Sequence, residues 1–373
     1  MRERGFPGAA FSIARQGKVL YTQAYGLADR ETDEKVRPES LFRIASLSKP
    51  ITALAILKLA ESQGLDLDFR FTEILSRDKR FPAASQWTEG WDRITIRHLL
   101  HHTGGWDRGK SFDPMFRTLD IQRTLNLKEV PDTWDVIRYM SRQPLDFSPG
   151  RNYAYSNFGY CILGRVIEVI SGRTYESFVT QHLLAPLNIR DMRLGATRLN
   201  ERVPGEVRYH MSRNQTARSV FSSVEQKVAW PYGGFLLEFM DAHGGWIASA
   251  PDLARLTASL QSPETCAILK PETLRQLSQP PAPPVSRKEE ALDDTYYGLG
   301  WMIRPRGEGG RHNAWHSGSL PGTSTLWVRR ADGIGFVILF NQRSDDERSK
   351  DAEIDPQLNR AINSVQLGRE TIP

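Results

Sequence analysis

The chain has 373 residues, 39% of them hydrophobic and 25% charged, with 49 Lys and Arg against 44 Asp and Glu, a formal net charge of +5. That length exceeds a miniature scaffold held by staples, and nine Trp, sixteen Phe and eleven Tyr exclude a disordered chain. The basic residues are interleaved with acidic ones, which argues against a nucleic-acid partner, and no stretch approaches the ~18 to 20 apolar residues of a membrane span.

At roughly 150 residues per domain the length predicts two domains or lobes. Cys161 and Cys266 are too few for a disulfide framework, although one bridge between them is compatible with the sequence. The N-terminal segment lacks a secretory apolar region, because Gly5, Pro7 and Gly8 interrupt it and Arg15 ends it. Two readings of localisation follow: a cytoplasmic protein, or a chain numbered from beyond a removed leader.

Gly8 to Ala14 and Val19 to Tyr25 read as strands around the turn Arg15-Gln16-Gly17-Lys18, an opening hairpin. From Ser46 to Gln63 the pattern turns helical and apolar on most faces, the mark of a buried helix, with Gly64 as its stop. The region from about 65 to 244 is rich in Pro and Gly and holds helical segments at Phe158 to Ile170 and Tyr175 to Leu184. A further helix is expected after Ala250, where Pro251 suits the first helical position.

Residues 279 to 295 are Pro-rich and then charged, an exposed connection. YGLGWMIRP, Thr323 to Arg330 and Gly335 to Asn341 read as strands, with a hairpin at Asp332-Gly333, and AEIDPQLNRAINSV as a closing helix. Strands at both ends with helices between predict a mixed α/β (α+β) fold. Both termini would form one antiparallel sheet flanked by helices, and the middle an inserted helical lobe. The expected organisation is one domain over residues 1–373, with an α/β lobe at about 1–64 and 245–373 and a helical lobe at about 65–244.

Chemistry is carried by three short segments. In Ser46-Leu47-Ser48-Lys49, a serine at the start of a buried helix has a lysine three residues later on the same face, close enough to take its proton. Burial lowers the lysine pKa, and the helix N-terminus favours an oxyanion. The second S-x-x-K, Ser76 to Lys79, has no apolar helix behind it and reads as surface.

In Tyr155-Ser156-Asn157 the tyrosine serves as acid or base if nearby cations lower its pKa, and the asparagine either orients a lysine and a substrate amide or caps the helix that follows. In His316-Ser317-Gly318-Ser319 the glycine permits a close backbone approach to substrate, His316 shares protons or donates a hydrogen bond, and the Ser319 N–H is a candidate oxyanion donor.

In order and spacing these segments resemble the superfamily of serine β-lactamases and penicillin-binding proteins, whose set is S-x-x-K, S-D-N and K-T-G. The Tyr-Ser-Asn and His-Ser-Gly forms are similar to the branch containing class C β-lactamases, carboxylesterases and D-amino-acid peptidases. The resemblance extends over LFRIASLSK, IRHLLHHTGG, PGRNYAYSNFGYCILGRVIEVISG, GGWIASAPDLARL and YGLGW.

It implies Ser46 as nucleophile, Lys49 and Tyr155 as a joint proton-handling pair, Asn157 as a positioning residue, and His316 in place of the family's third-motif lysine. It also implies that His102 supports the cleft through hydrogen bonds. Three departures stand out. His316 replaces the lysine that grips a substrate carboxylate, no E-x-x-L-N segment follows the first motif, and no helix precedes the first strand, the expectation being a truncated start.

Trp106, Trp246 and Trp315 flank the recognised segments, so they either line an acyl-binding pocket or pack loops onto the core. An α/β-hydrolase elbow fails at Gly322-Thr323-Ser324-Thr325-Leu326. A metal hydrolase built on His98, His101, His102 and Asp107 lacks H-E-x-x-H. A non-catalytic binding or sensor protein on the same fold is the competing class, opposed by the presence of Ser46, Lys49, Tyr155 and His316 together. The expectation is a serine hydrolase acting through a Ser46 acyl-enzyme on small carboxylic esters. The alternative is β-lactam or D-amino-acid amide hydrolysis; no metal or organic cofactor is implied.

Overall fold

The computed structural model describes residues 5–211, 215–222, 224–282, 285, 294–307, 310–343 and 354–364. An eight-stranded antiparallel sheet is assembled from the two ends of the chain. From the N-terminal end come β1 (Gly8–Arg15), β2 (Lys18–Asp29) and β3 (Glu34–Lys35). From the C-terminal end come β4 (Tyr296–Tyr297), β5 (Met302–Pro305), β6 (His312–Leu320), β7 (Thr323–Arg329) and β8 (Ile334–Phe340). The spatial order is β4-β5-β6-β7-β8-β1-β2-β3, closed by pairing Ala9 with Phe340 through Arg15 with Ile334.

The hairpin between β1 and β2 turns on Gln16 and Gly17, both at positive φ, which a two-residue turn of matching twist demands. The segment expected as one strand at 297–305 is instead a second hairpin, Tyr296 facing Ile303, closed over Gly298 to Trp301. The stretch 312–320, expected only as a lead into the last strands, is itself the strand β6. Its alternation of buried and exposed residues places Ala314, His316, Gly318 and Leu320 on one face and Trp315, Ser317 and Ser319 on the other.

Both sheet faces are covered, so β7 and β8 are buried along nearly their whole length. On the inner face lie α1 (Ser48–Gln63) and, beyond it, α2 (Asn157–Ser171), within the main core. Helix α3 (Ala250–Ser259) packs against β1 and β8, and Trp327 Nε1 of β7 donates to Thr257 Oγ1 at 2.6 Å. On the outer face α4 (Ile354–Ser364) lays Ile362 and Leu358 onto Phe6, Ile338, Phe340 and their neighbours.

Helix α1 is apolar all round because it is buried on every side, and both α1 and α2 end at glycines in the left-handed conformation, Gly64 and Gly172. The predicted helix from Tyr175 to Leu184 is α-helical only to Val179 and continues as a wider turn before Pro186. Between the two ends of the sheet the chain forms short helices around an aromatic cluster of Phe71, Trp91, Trp106 and Phe158. Cys161 and Cys266 are both free. Most of the charged part of the expected connection, residues 286–293, lies outside the described residues.

Because β1 and β2 complete their sheet only with β8, residues 1–190 expressed alone are expected to show no cooperative thermal transition by circular dichroism. A sharp transition in that fragment would overturn this organisation.

Candidate active site

The turn that carries Ser46 is built by the segment before α1. Ile44 N donates to Trp246 O at 2.9 Å, Ala45 sits at φ +49°, and a single 3-10 turn over Ala45–Leu47 carries the chain into the helix. Ser46 therefore lies in this tight turn and not in the α-helix proper. A non-glycine residue at positive φ stores strain, and here the surroundings hold it. Ser48 Oγ donates to Ala45 O at 2.8 Å, and Thr325 Oγ1 of β7 donates to Ile44 O at 3.0 Å.

Strand β6 passes directly beside this turn. A Cβ on Gly318 would lie 2.5 Å from Ile44 O and 3.1 Å from Ser46 N, and would also strike Thr325 Oγ1. Glycine is thus required for close approach of the Ser46 turn, whereas the sequence had pointed to approach of a substrate. β5 pairs with β6 only as far as Trp315, so from His316 onward that backbone edge has no strand beside it among the described residues.

Lys49 is fully buried in the first turn of α1, three residues beyond Ser46. Its Nζ lies 2.7 Å from Asn157 Oδ1, 2.9 Å from His243 O and 3.2 Å from Ser46 Oγ. Burial, reinforced by the charge of Arg108 and opposed by Asp113, holds its pKa well below the ordinary lysine range. A neutral amine has two N–H bonds and one lone pair. The two carbonyl oxygens accept the N–H bonds, which leaves the lone pair for the Ser46 hydroxyl.

Asn157 opens α2 but does not cap it, as one sequence reading had it; Ser156 Oγ accepts from Gly159 N and leaves the asparagine side chain free for the site. Asn157 Nδ2 donates to Asp113 Oδ2 at 2.6 Å, which fixes Oδ1 toward Lys49. Tyr155 shares the cleft wall with Ser46, and its ring stands 4.7 Å from Lys49 Nζ and 4.9 Å from the Arg108 guanidinium carbon.

The sequence expectation that nearby cations would lower the Tyr155 pKa is corrected here. Desolvation outweighs the influence of both Ser46 and Arg108, so the phenol is raised and stays protonated at neutral pH. His316 is also buried, with Nδ1 donating to Ser317 O at 2.7 Å and Nε2 left to accept from Tyr297 OH at 3.0 Å. Burial, then Lys49, lowers its pKa to about 3, so the third motif presents a neutral ring.

These side chains border a cleft of about 910 Å³ walled by Ser46, Arg108, Tyr153, Tyr155, Tyr297, His316, Gly318, Ser319 and, around the edge of β6, Trp315. Trp106, expected to bind substrate, is 4% exposed and packs edge-on against Trp91 and Phe158; it is a core residue. Trp246 is likewise buried, donating to Tyr175 OH at 2.9 Å.

The histidines considered for a metal turn to separate partners. His98 belongs to the capping box of Thr95, His101 Nδ1 contacts Tyr297 O, and His102 lies among Tyr155, Tyr160 and Tyr297 while its Nδ1 accepts from Ser156 N. Among the described residues no group of three or more candidate ligands is disposed to hold a metal ion. Arg108, Asp113 and the His243 carbonyl are site groups that sequence reasoning missed.

A large antiparallel sheet with a serine, a buried lysine and a tyrosine meeting at the edge of one strand defines the fold of serine β-lactamases and penicillin-binding proteins. The chain belongs to the Beta-lactamase family, which it matches over residues 1–359. It is 36% identical over 197 residues to esterase EstB of Burkholderia gladioli, a match covering 51% of this chain and 48% of that protein. It is 26% identical to a penicillin-binding protein of Bacillus subtilis (strain 168), over 91% of this chain and 69% of that protein. The chain thus spans between about half and two thirds of these relatives' lengths. A solved penicillin-binding protein homologue from Pyrococcus abyssi shares the fold with a TM-score of 0.72 at 23% identity, over 97% of this chain and 75% of that one. No helix among the described residues is long and apolar enough to cross a membrane.

Two outcomes follow from this packing. Gly318→Ala is expected to cost about 1–3 kcal/mol in urea unfolding and to slow labelling of Ser46 by a fluorophosphonate, since β6 and the Ser46 turn must separate. Labelling at the wild-type rate would contradict the contact.

Unfolded histidines bind protons below about pH 6.5, whereas folded His101 and His316 stay neutral to about 4 and about 3. The unfolded state therefore holds more protons in this window, and stability falls as the pH drops. The slope is about 1.4 kcal/mol per pH unit for each such histidine. Unfolding titrations from neutral pH down to about pH 4.5 should show a shallower loss in His316→Asn than in wild type.

Proposed function

We propose that this protein is a serine hydrolase that cleaves small carboxylic esters through an acyl-enzyme on Ser46. The observation carrying this reading is the set of contacts at Lys49 Nζ, where two carbonyl oxygens and one serine hydroxyl match the donors and the lone pair of a neutral amine. Lys49 takes the Ser46 proton as Oγ attacks the ester carbonyl. The backbone N–H groups of Ser46 and Ser319 hold the oxyanion. The departing alkoxide takes a proton from the Tyr155 hydroxyl, which the Lys49 ammonium restores. Water then attacks the acyl-serine, the carboxylic acid leaves, and Ser46 recovers its proton.

Esters are favoured over acylamino substrates by two features. Neutral His316 stands where most penicillin-recognising relatives place a lysine, so β6 offers no cation for a carboxylate. Asn157 Nδ2, a natural donor to a substrate amide, is engaged by Asp113. The similarity to EstB supports the ester reading, and the similarity to a penicillin-binding protein supports amide or D-amino-acid peptide cleavage as the second reading.

Intact-mass spectrometry separates them: a fluorophosphonate adduct that requires Ser46, with no stable penicillin adduct, is expected. Ser46→Ala and Lys49→Ala should each lower nitrophenyl ester turnover by about 1000-fold or more, and turnover surviving both would sink the proposed site. Because the rate requires neutral Lys49, kcat/KM should rise with pH and level off well below about pH 10. A profile still climbing through the ordinary lysine range would exclude Lys49 as the base.

A further inference from the structure

We propose that Arg108 is a specificity-determining residue that selects esters carrying a second, anionic group, such as the half-esters of short dicarboxylic acids. This rests on the ester reading above and names the substrate class of the same cleft. Arg108 lies in the loop after the Gly104-Gly105 pair, on the cleft wall with Ser46, and its guanidinium stands over the Tyr155 ring at 4.9 Å. It is exposed, and among the described residues it forms no ion pair and no hydrogen bond.

The carboxylates near it are spent elsewhere. Asp107 Oδ1 accepts from Gly109 N at 2.9 Å, Asp146 Oδ2 accepts from Asp107 N and Ser111 Oγ, and Asp113 accepts from Asn157 Nδ2 and Met115 N. A guanidinium held on an aromatic face has its edge N–H donors free, and that fork matches a carboxylate in two parallel hydrogen bonds.

The charge balance of the cleft points the same way. His316 is neutral and Lys49 is buried with all its contacts internal, so the cations lining the cleft are Arg108, beside Tyr155, and Arg343, whose guanidinium lies over Trp230 at 5.7 Å; of the two, Arg108 is the one stacked on a ring of the Ser46 site. It stands beside Tyr155 and not on β6. An acyl chain with its carbonyl at Ser46 and a carboxylate two or three carbons away would place that carboxylate toward Arg108. This differs from a carboxylate held at the third motif.

The test uses the full chain with Ser46→Ala, so that bound ester persists, and measures binding of monomethyl succinate and of uncharged methyl butyrate by calorimetry. The expected result is about tenfold tighter binding of the half-ester, weakening as salt is raised from about 20 to about 500 mM. That preference is expected to be lost in Arg108→Ala and partly kept in Arg108→Lys. Equal affinity for the two esters, or a preference that survives Arg108→Ala in protein with an unchanged near-ultraviolet spectrum, overturns the proposal.

In the Ser46-intact chain the ratio of kcat/KM for the two esters should fall by about the same factor on Arg108→Ala. Absence of turnover for both esters would count against the ester reading alone, because the binding comparison does not depend on catalysis.

Discussion

A primary amine with no access to water is the constraint on which the site depends. Lys49 at full burial is tolerable only if it is neutral or if every proton it carries is accepted, and the protein satisfies both conditions with two carbonyl oxygens and the Ser46 hydroxyl. Each of these three partners comes from a different part of the chain: the start of α2, the loop before Trp246, and the turn before α1. Holding the amine therefore draws three distant segments to one point.

Each of those segments is fixed by contacts of its own. The His243 carbonyl is presented by a turn in which Met240 O accepts the N–H groups of His243, Gly244 and Gly245 at 2.9, 2.7 and 2.8 Å. Asn157 is locked by Asp113, whose other oxygen caps the turn at Pro114–Phe116. The Ser46 turn is held between Trp246 and Thr325 and pressed against Gly318. Precision at Ser46 therefore comes from the sheet and the helices on its inner face together. This agrees with the sharing of the main core between α1, α2 and the inner residues of β6 to β8.

Much of this was legible in the sequence because it follows from local pattern. Gly17 and Gly64 announce their turn and cap, the apolar run after Ser46 announces a buried helix, and the three-residue spacing of Ser46 and Lys49 brings their side chains together, although Ser46 lies in the turn before the helix. What could not be read depends on backbone atoms and on double use of a side chain. His243 acts through its carbonyl, which every residue possesses. Asp113 looks like an ordinary cap before Pro114, and only the fold shows its second oxygen on Asn157. Trp106 misled because proximity to a motif says nothing of which way an indole turns. β6 escaped notice because His, Ser and Gly are weak strand formers, and its place in the sheet comes from its neighbours β5 and β7.

The same desolvation that lowers Lys49 raises Tyr155 and silences His316, so one physical cause sorts the three titratable groups. An amine loses its proton, a phenol keeps its own, and an imidazole stays neutral, which is the set of states that proton transfer from Ser46 to Lys49 and from Tyr155 to a leaving oxygen requires. A lysine in the place of His316 would bring an ammonium into this buried wall beside Lys49, where burial already disfavours charge on His316. With a neutral ring there, the positive charge beside Tyr155 is carried by Arg108 in the more exposed loop, where water offsets the cost of keeping it charged. Proton chemistry and charge recognition are thereby assigned to opposite degrees of burial within a single cleft.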